Sequence, residues 1–185
     1  MLEIKNLSFS YDGEKVIEDF SETFKNGERV CIKGESGKGK TTLLRLICGL
    51  ENPQKGSIAF TENEKIGVVF QSDILLPWYT AVENVKLVAS EENAKRWLCA
   101  FSLENSMEKY PSELSGGMCR RVALARALAF EPDVLILDEA FKGLDEALKN
   151  KVIDIITEAF SKKLCIFTSH DEAEITKFAT RVVEL

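Results

Sequence analysis

Residues 34–42 read GESGKGKTT, between a short β-rich run, ERVCIKG, and a helical one, TTLLRLICGL. This order of strand, glycine-rich loop and helix is a cradle for phosphate. Glycines let the backbone curl until several N–H groups point inward at phosphate oxygens, and a helix beginning near Lys40 adds the positive end of its dipole. The stretch satisfies GxxxxGK[ST] in full, so Gly34, Glu35, Ser36, Gly37, Lys38, Gly39, Lys40, Thr41 and Thr42 are the candidate loop contacts. Lys40 would bring a point charge to the β- and γ-phosphates, and Thr41 would offer its hydroxyl to Mg2+.

The rest of the pattern fits a sheet built around that unit. Alternation over 2–11 and 16–24, with turns at Asp12-Gly13 and Asn26-Gly27, predicts an antiparallel start. Short strands are expected at 57–60 and 65–70, and polar helical stretches over roughly 81–101. SGGMCRRVALARALAF reads as a helix begun by Ser115 and closed near Glu131-Pro132, because proline disfavours helix just before itself. DVLILDE and LCIFTSH read as buried strands. Between them Leu148, Val152, Ile155, Ile156 and Ala159 recur at helical spacing. A last helix near 171–179 precedes RVVEL. Because β and α alternate, the later strands should be parallel.

A nucleotide site also needs a carboxylate at the end of a nearby strand, and VLILDE supplies two. Asp138 is placed to hold magnesium, and Glu139 to polarise an attacking water. These residues suit a nucleoside kinase, a GTPase-like enzyme or an ATPase. A guanine-reading NKxD is missing, since the nearest approach is Asn150-Lys151-Val152-Ile153 inside a helical pattern.

A second stretch, LSGGM at 114–118, has the grammar of another phosphate cradle. With it the order of motifs resembles the ATP-binding cassette family, the ATPase subunits of ABC transporters, over almost the whole chain. In that resemblance Tyr11 matches the aromatic that stacks on adenine, 34–42 the Walker A loop and Gln71 the Q-loop. Residues 114–118 match the signature, 134–139 the Walker B strand and His170 the switch histidine.

The resemblance implies a P-loop NTPase core of α/β class, with a parallel central sheet, an antiparallel β subdomain at the N-terminus and a small helical subdomain over about 72–130, all in one domain, 1–185. It implies ATP and Mg2+ as cofactors, with Gln71 a magnesium and water ligand and His170 a γ-phosphate contact. It places Ser115, Gly116 and Gly117 on the nucleotide of a second copy in an ATP-bound homodimer. Integral membrane permease subunits are the expected partners, together with a solute-binding protein if the system imports. The stretch ILLPWYTAVENV, 74–85, resembles the LLPW segment of ATPases that drive uptake of nitrate, sulfonates and taurine. An exporter, or a non-transport ATPase of the DNA-repair or translation class, stays open. Three positions depart from the family pattern: Met118 after the signature glycines, and Lys142 and Gly143 in FKGLD.

A net charge of −6 gives no electrostatic reason to expect nucleic acid. No apolar run approaches the roughly 20 residues of a membrane helix. The opening MLEIKNLSFS reads as a strand without a basic region ahead of it, so the expected place is the cytoplasm; the resemblance implies a peripheral position on the inner face of the cell membrane through the permease. The five cysteines are scattered and never form CxxC, which reads as small buried hydrophobes.

Overall fold

The computed structural model describes residues 1–72 and 75–185. The described strands form two sheets. The first joins β1 (Leu2–Tyr11), β2 (Glu14–Phe24) and β4 (Lys55–Phe60) in the antiparallel order β2-β1-β4. The second joins β3 (Arg29–Lys33), β5 (Ile66–Val69), β6 (Val134–Asp138), β7 (Leu164–Thr168) and β8 (Arg181–Glu184) in the parallel order β5-β6-β7-β3-β8. Among the described residues six α-helices accompany them: α1 (Lys40–Ile47), α2 (Ala81–Lys86), α3 (Glu91–Ala100), α4 (Gly116–Ala129), α5 (Glu146–Ala159) and α6 (Glu172–Phe178).

Every residue of β6 and β7 is buried, as a central parallel sheet covered on both faces requires. Their alternate side chains feed two cores. Leu135, Leu137, Cys165 and Phe167 pack with residues of α2 to α6. Val134, Ile136, Leu164 and Ile166 pack with α1 and the antiparallel sheet. The strand expected at 57–60 belongs to the antiparallel sheet, where Leu2 faces Phe60 and Lys5 faces Ser57. Its place beside β1 depends on pairings between residues distant in sequence, Leu2 with Phe60 and Lys5 with Ser57, that periodicity does not encode.

Helix ends follow local chemistry. After α1, the N–H of Leu50 bonds to Arg45 O at 2.9 Å and that of Gly49 to Leu46 O at 3.1 Å, closing the helix as expected. The 81–101 stretch is two helices. Thr80 and Glu83 form a capping box on α2, and Ser90 caps α3 after a break at 87–90. Residues 72–130 also hold short 3-10 turns at Glu104–Ser106 and Pro111–Glu113; Asp73 and Ile74 of that range lie outside the described residues. Helices α2, α3 and α4 pack on one another.

Two expectations are corrected. On α5 the buried residues are Val152, Ile153 and Ile156, and Ala159 is exposed; the buried stripe runs on to Phe160, which leaves Ala159 at its edge. Cys31 and Cys165 are buried, but Cys99 is exposed on α3, where it lies off the face that buries Ala94 and Leu98. Among the described residues no helix is long and apolar enough to cross a membrane.

Candidate functional site

The glycine loop runs from the end of β3 into α1. Gly39 has φ +86°, and a Cβ there would lie 2.7 Å from Val16 Cγ1 and 3.0 Å from Val16 O, so the loop lies directly on β2. Helix α1 starts with no side-chain cap and no acidic residue in its first turn. Its N-terminus therefore keeps its partial positive charge for an anion. Lys40 is buried, and its ammonium donates to Gly34 O at 2.8 Å and Glu35 O at 2.9 Å across the loop. Thr41 donates its hydroxyl to Asp138 Oδ2 at 2.8 Å, which joins the start of α1 to the end of β6.

Parallel pairing brings the ends of β6 and β7 together, with Asp138 opposite Thr168. The Thr168 hydroxyl donates to Asp138 Oδ1 at 2.6 Å and accepts the Glu139 N–H at 3.0 Å. Glu139 leaves the strand with φ +48°, a conformation unusual outside glycine. Three side chains then meet its carboxylate. His170 Nε2 lies 3.3 Å from Oε1. Gln71 Nε2 and Lys142 Nζ each lie 3.2 Å from Oε2. The backbone at Gln71 is held from α4, where the Arg120 guanidinium donates to Phe70 O at 2.7 Å and to Gln71 O.

Tyr11, Lys40, Thr41, Gln71, Asp138, Glu139 and His170 line one cleft of about 540 Å³, and Ser36, Gly37, Gly39 and Thr42 face it from the loop. Gly34, Glu35 and Lys38 line an adjoining hollow that His170 also borders. Ser115, Gly116 and Gly117 are absent from both linings. Ser115 caps α4 instead, accepting the Met118 N–H at 3.3 Å. Gly117 packs so near the loop after β6 that a Cβ there would lie 3.1 Å from Gly143 O. Gly143 itself has φ +81°, which is why glycine suits that departure from the family pattern.

The residues that flank His170 are pinned by a second network. Lys149 of α5 lies 3.0 Å from Asp171, 3.1 Å from Glu174 and 3.3 Å from Glu146. Its hydrogen bond to Asp171, followed by that to Glu174, raises the lysine well above its ordinary range. The same bond holds the Asp171 carboxyl below the usual carboxylate value. Ser169 donates to Glu174 at 2.6 Å and accepts the Asp171 N–H at 3.0 Å.

Sequence reasoning treated Lys142 only as a departure, and it missed Val16, Thr168, Arg120 and Lys149. Only the position of Thr168, at the end of the buried run LCIFT, signalled a role. Among the described residues no group of three or more His, Cys, Asp or Glu could hold a metal. The Thr41 hydroxyl and Asp138 carboxylate are hard oxygen donors only 2.8 Å apart. That set fits Mg2+, which is commonly bound through one or two carboxylates plus substrate phosphates. Trp78, in the LLPW stretch, is 66% exposed, whereas Leu75 packs against the core.

Comparison with known proteins agrees with this geometry. The family model described as ABC transporter matches residues 17–142. The chain is 34% identical to the ergothioneine transport ATP-binding protein EgtV of Helicobacter pylori, over 98% of this chain and 95% of that protein. It is 38% identical to the bicarbonate transport ATP-binding protein CmpD of Synechocystis, over 98% of this chain and 73% of that one. Among solved structures, a dimeric post-hydrolysis state of an ATP-binding cassette bound to ADP and Pi matches with a TM-score of 0.91. The identity is 29%, covering 100% of this chain and 94% of that chain.

Proposed function

The chain belongs to the ABC transporter family, and on that premise we propose how its cleft works as the ATP site of a transport ATPase. It is an ATP-binding and ATP-hydrolysing subunit that acts as a dimer with a membrane permease. The observation that carries the mechanism is the division between the two glycine motifs. Lys40, Asp138, Glu139 and His170 share one cleft, while Ser115 faces elsewhere at the start of α4. One chain is thus half a site, and the signature of a second copy completes it in a head-to-tail pair.

In this reading Tyr11 stacks on the adenine, and Lys40 with the loop N–H groups binds the phosphates. Thr41, Asp138 and Gln71 would hold Mg2+, which would supply charge neutralisation on the phosphate oxygens. Glu139 takes the proton of the attacking water, and His170 contacts the γ-phosphate. Residues 1–185 act as one domain in which the 72–130 stretch forms the helical subdomain that meets the permease, with Trp78 as its exposed anchor. Import is the direction we favour, since the LLPW stretch resembles that of uptake ATPases, and an importer would add a solute-binding protein. The subunit sits against the inner face of the membrane through the permease.

The reading is tested with Glu139→Gln. Removing a positioned base should lower turnover by about 10²-fold or more while ATP binding persists, so that an ATP-bound dimer accumulates on gel filtration. A variant that hydrolyses normally and stays monomeric with ATP would remove Glu139 from the mechanism.

A further inference from the structure

Lys142 lies in the loop after β6, three residues beyond Glu139, and its ammonium meets the same Oε2 as the Gln71 amide. The Glu139 carboxylate therefore has two donors on one oxygen and His170 on the other. Glu139 is the first residue past the end of β6 and holds a left-handed backbone conformation, so the strand alone does not fix its carboxylate plane. Lys40, the other lysine lining this cleft, is engaged with two loop carbonyls and does not reach Glu139.

We infer that Lys142 is a positioning residue for Glu139, orienting the carboxylate for proton transfer without itself touching ATP. The inference rests on Glu139 acting as the base. Gln71 and Lys142 approach from different parts of the chain, one after β5 and one after β6. Together they confine Oε2 as neither does alone, which leaves Oε1 beside His170. A base must stand within hydrogen-bond reach of the water it deprotonates, and small losses of alignment lower rate. Lys142 is 67% exposed against 19% for Glu139, so the pair is screened and weak as a source of stability. Its effect should appear in rate, not in folding.

Lys142→Met keeps much of the side-chain length and removes the charge; Lys142→Arg restores it. In the full chain, Lys142→Met should lower kcat about threefold to tenfold, with KM for ATP within about twofold and Tm nearly unchanged, and Lys142→Arg should recover most of kcat. Single-turnover hydrolysis in a Glu139→Gln background completes a double-mutant cycle. If Lys142 acts through Glu139, adding Lys142→Met there causes no further loss. An unchanged kcat in the single variant, an equal loss in both backgrounds, or a rise in KM without a fall in kcat would overturn the inference. A fall in kcat explained by a lower Tm and not recovered by arginine would do the same. Normal turnover by Glu139→Gln itself would instead overturn the base assignment on which this rests, so the two failures are distinguishable.

Discussion

The Thr168 hydroxyl donates to Asp138 Oδ1 at 2.6 Å, and both residues are buried. The same hydroxyl oxygen accepts the Glu139 N–H, so one side chain of β7 sets the carboxylate proposed to hold Mg2+ and the backbone that carries the proposed base. Thr168→Val keeps the shape and removes both bonds. It should cost about 1–3 kcal/mol through the unsatisfied buried groups, read from urea unfolding. ATPase activity should also need more Mg2+ for half-maximal rate. Thr168→Ser should retain both properties.

Separate cradles predict a specific complementation. Lys40→Ala damages the phosphate loop, and Ser115→Arg blocks the signature, so each homodimer has two defective sites. In the mixed dimer a signature acting on the partner's nucleotide gives one doubly defective site and one intact site. Losing a preorganised contact to developing charge costs about 10² to 10³ in rate. One restored site should therefore stand well above either variant alone. ATPase rate, nucleotide trapping and ATP-dependent dimerisation should be measured together, and no rescue in any of them, with mixed dimers present, would refute action in trans.

Trp78 is two-thirds exposed beside a half-buried Leu75. Trp78→Ala should shift the Tm of the isolated subunit by no more than about 2 °C, the scale of a surface change in a chain of this size. Capture by membranes carrying the permease should fall at least tenfold, because aromatic anchors dominate interfaces. Marked unfolding of the variant would return Trp78 to the core.

The Lys149 network predicts a pH-dependent stability difference. Its bond to Asp171 depresses that carboxyl, so the contribution is present above the unfolded value of about 3.9 and is lost as pH falls through the lower folded value. The Tm gap between the wild-type chain and Lys149→Met should be constant from about pH 8 to 5 and narrow below about pH 4. Raising the pH to 9 should not close it, because the lysine is itself shifted upward. A gap that widens on acidification would contradict the assignment.

The sequence by itself determined the class of chemistry and the order of the parts. GESGKGKTT could only be a strand–loop–helix cradle in its context, VLILDE named its carboxylates, and LSGGM announced a second cradle, because each motif is local and its physics is carried by neighbouring residues. Helix ends at Ser115, and at Gly49 after α1, were legible for the same reason. Only the tertiary structure decided which distant groups share the cleft. Gln71, Lys142 and His170 converge on one carboxylate, Thr168 sits opposite Asp138 through strand register, and Arg120 reaches from α4 to the backbone at Gln71. Apart from Lys142, three residues from Glu139, these contacts join residues 29 to 68 apart, set by burial of a whole parallel sheet. Hydrophobic periodicity records which face of an element is buried and carries no mark of the neighbour that buries it.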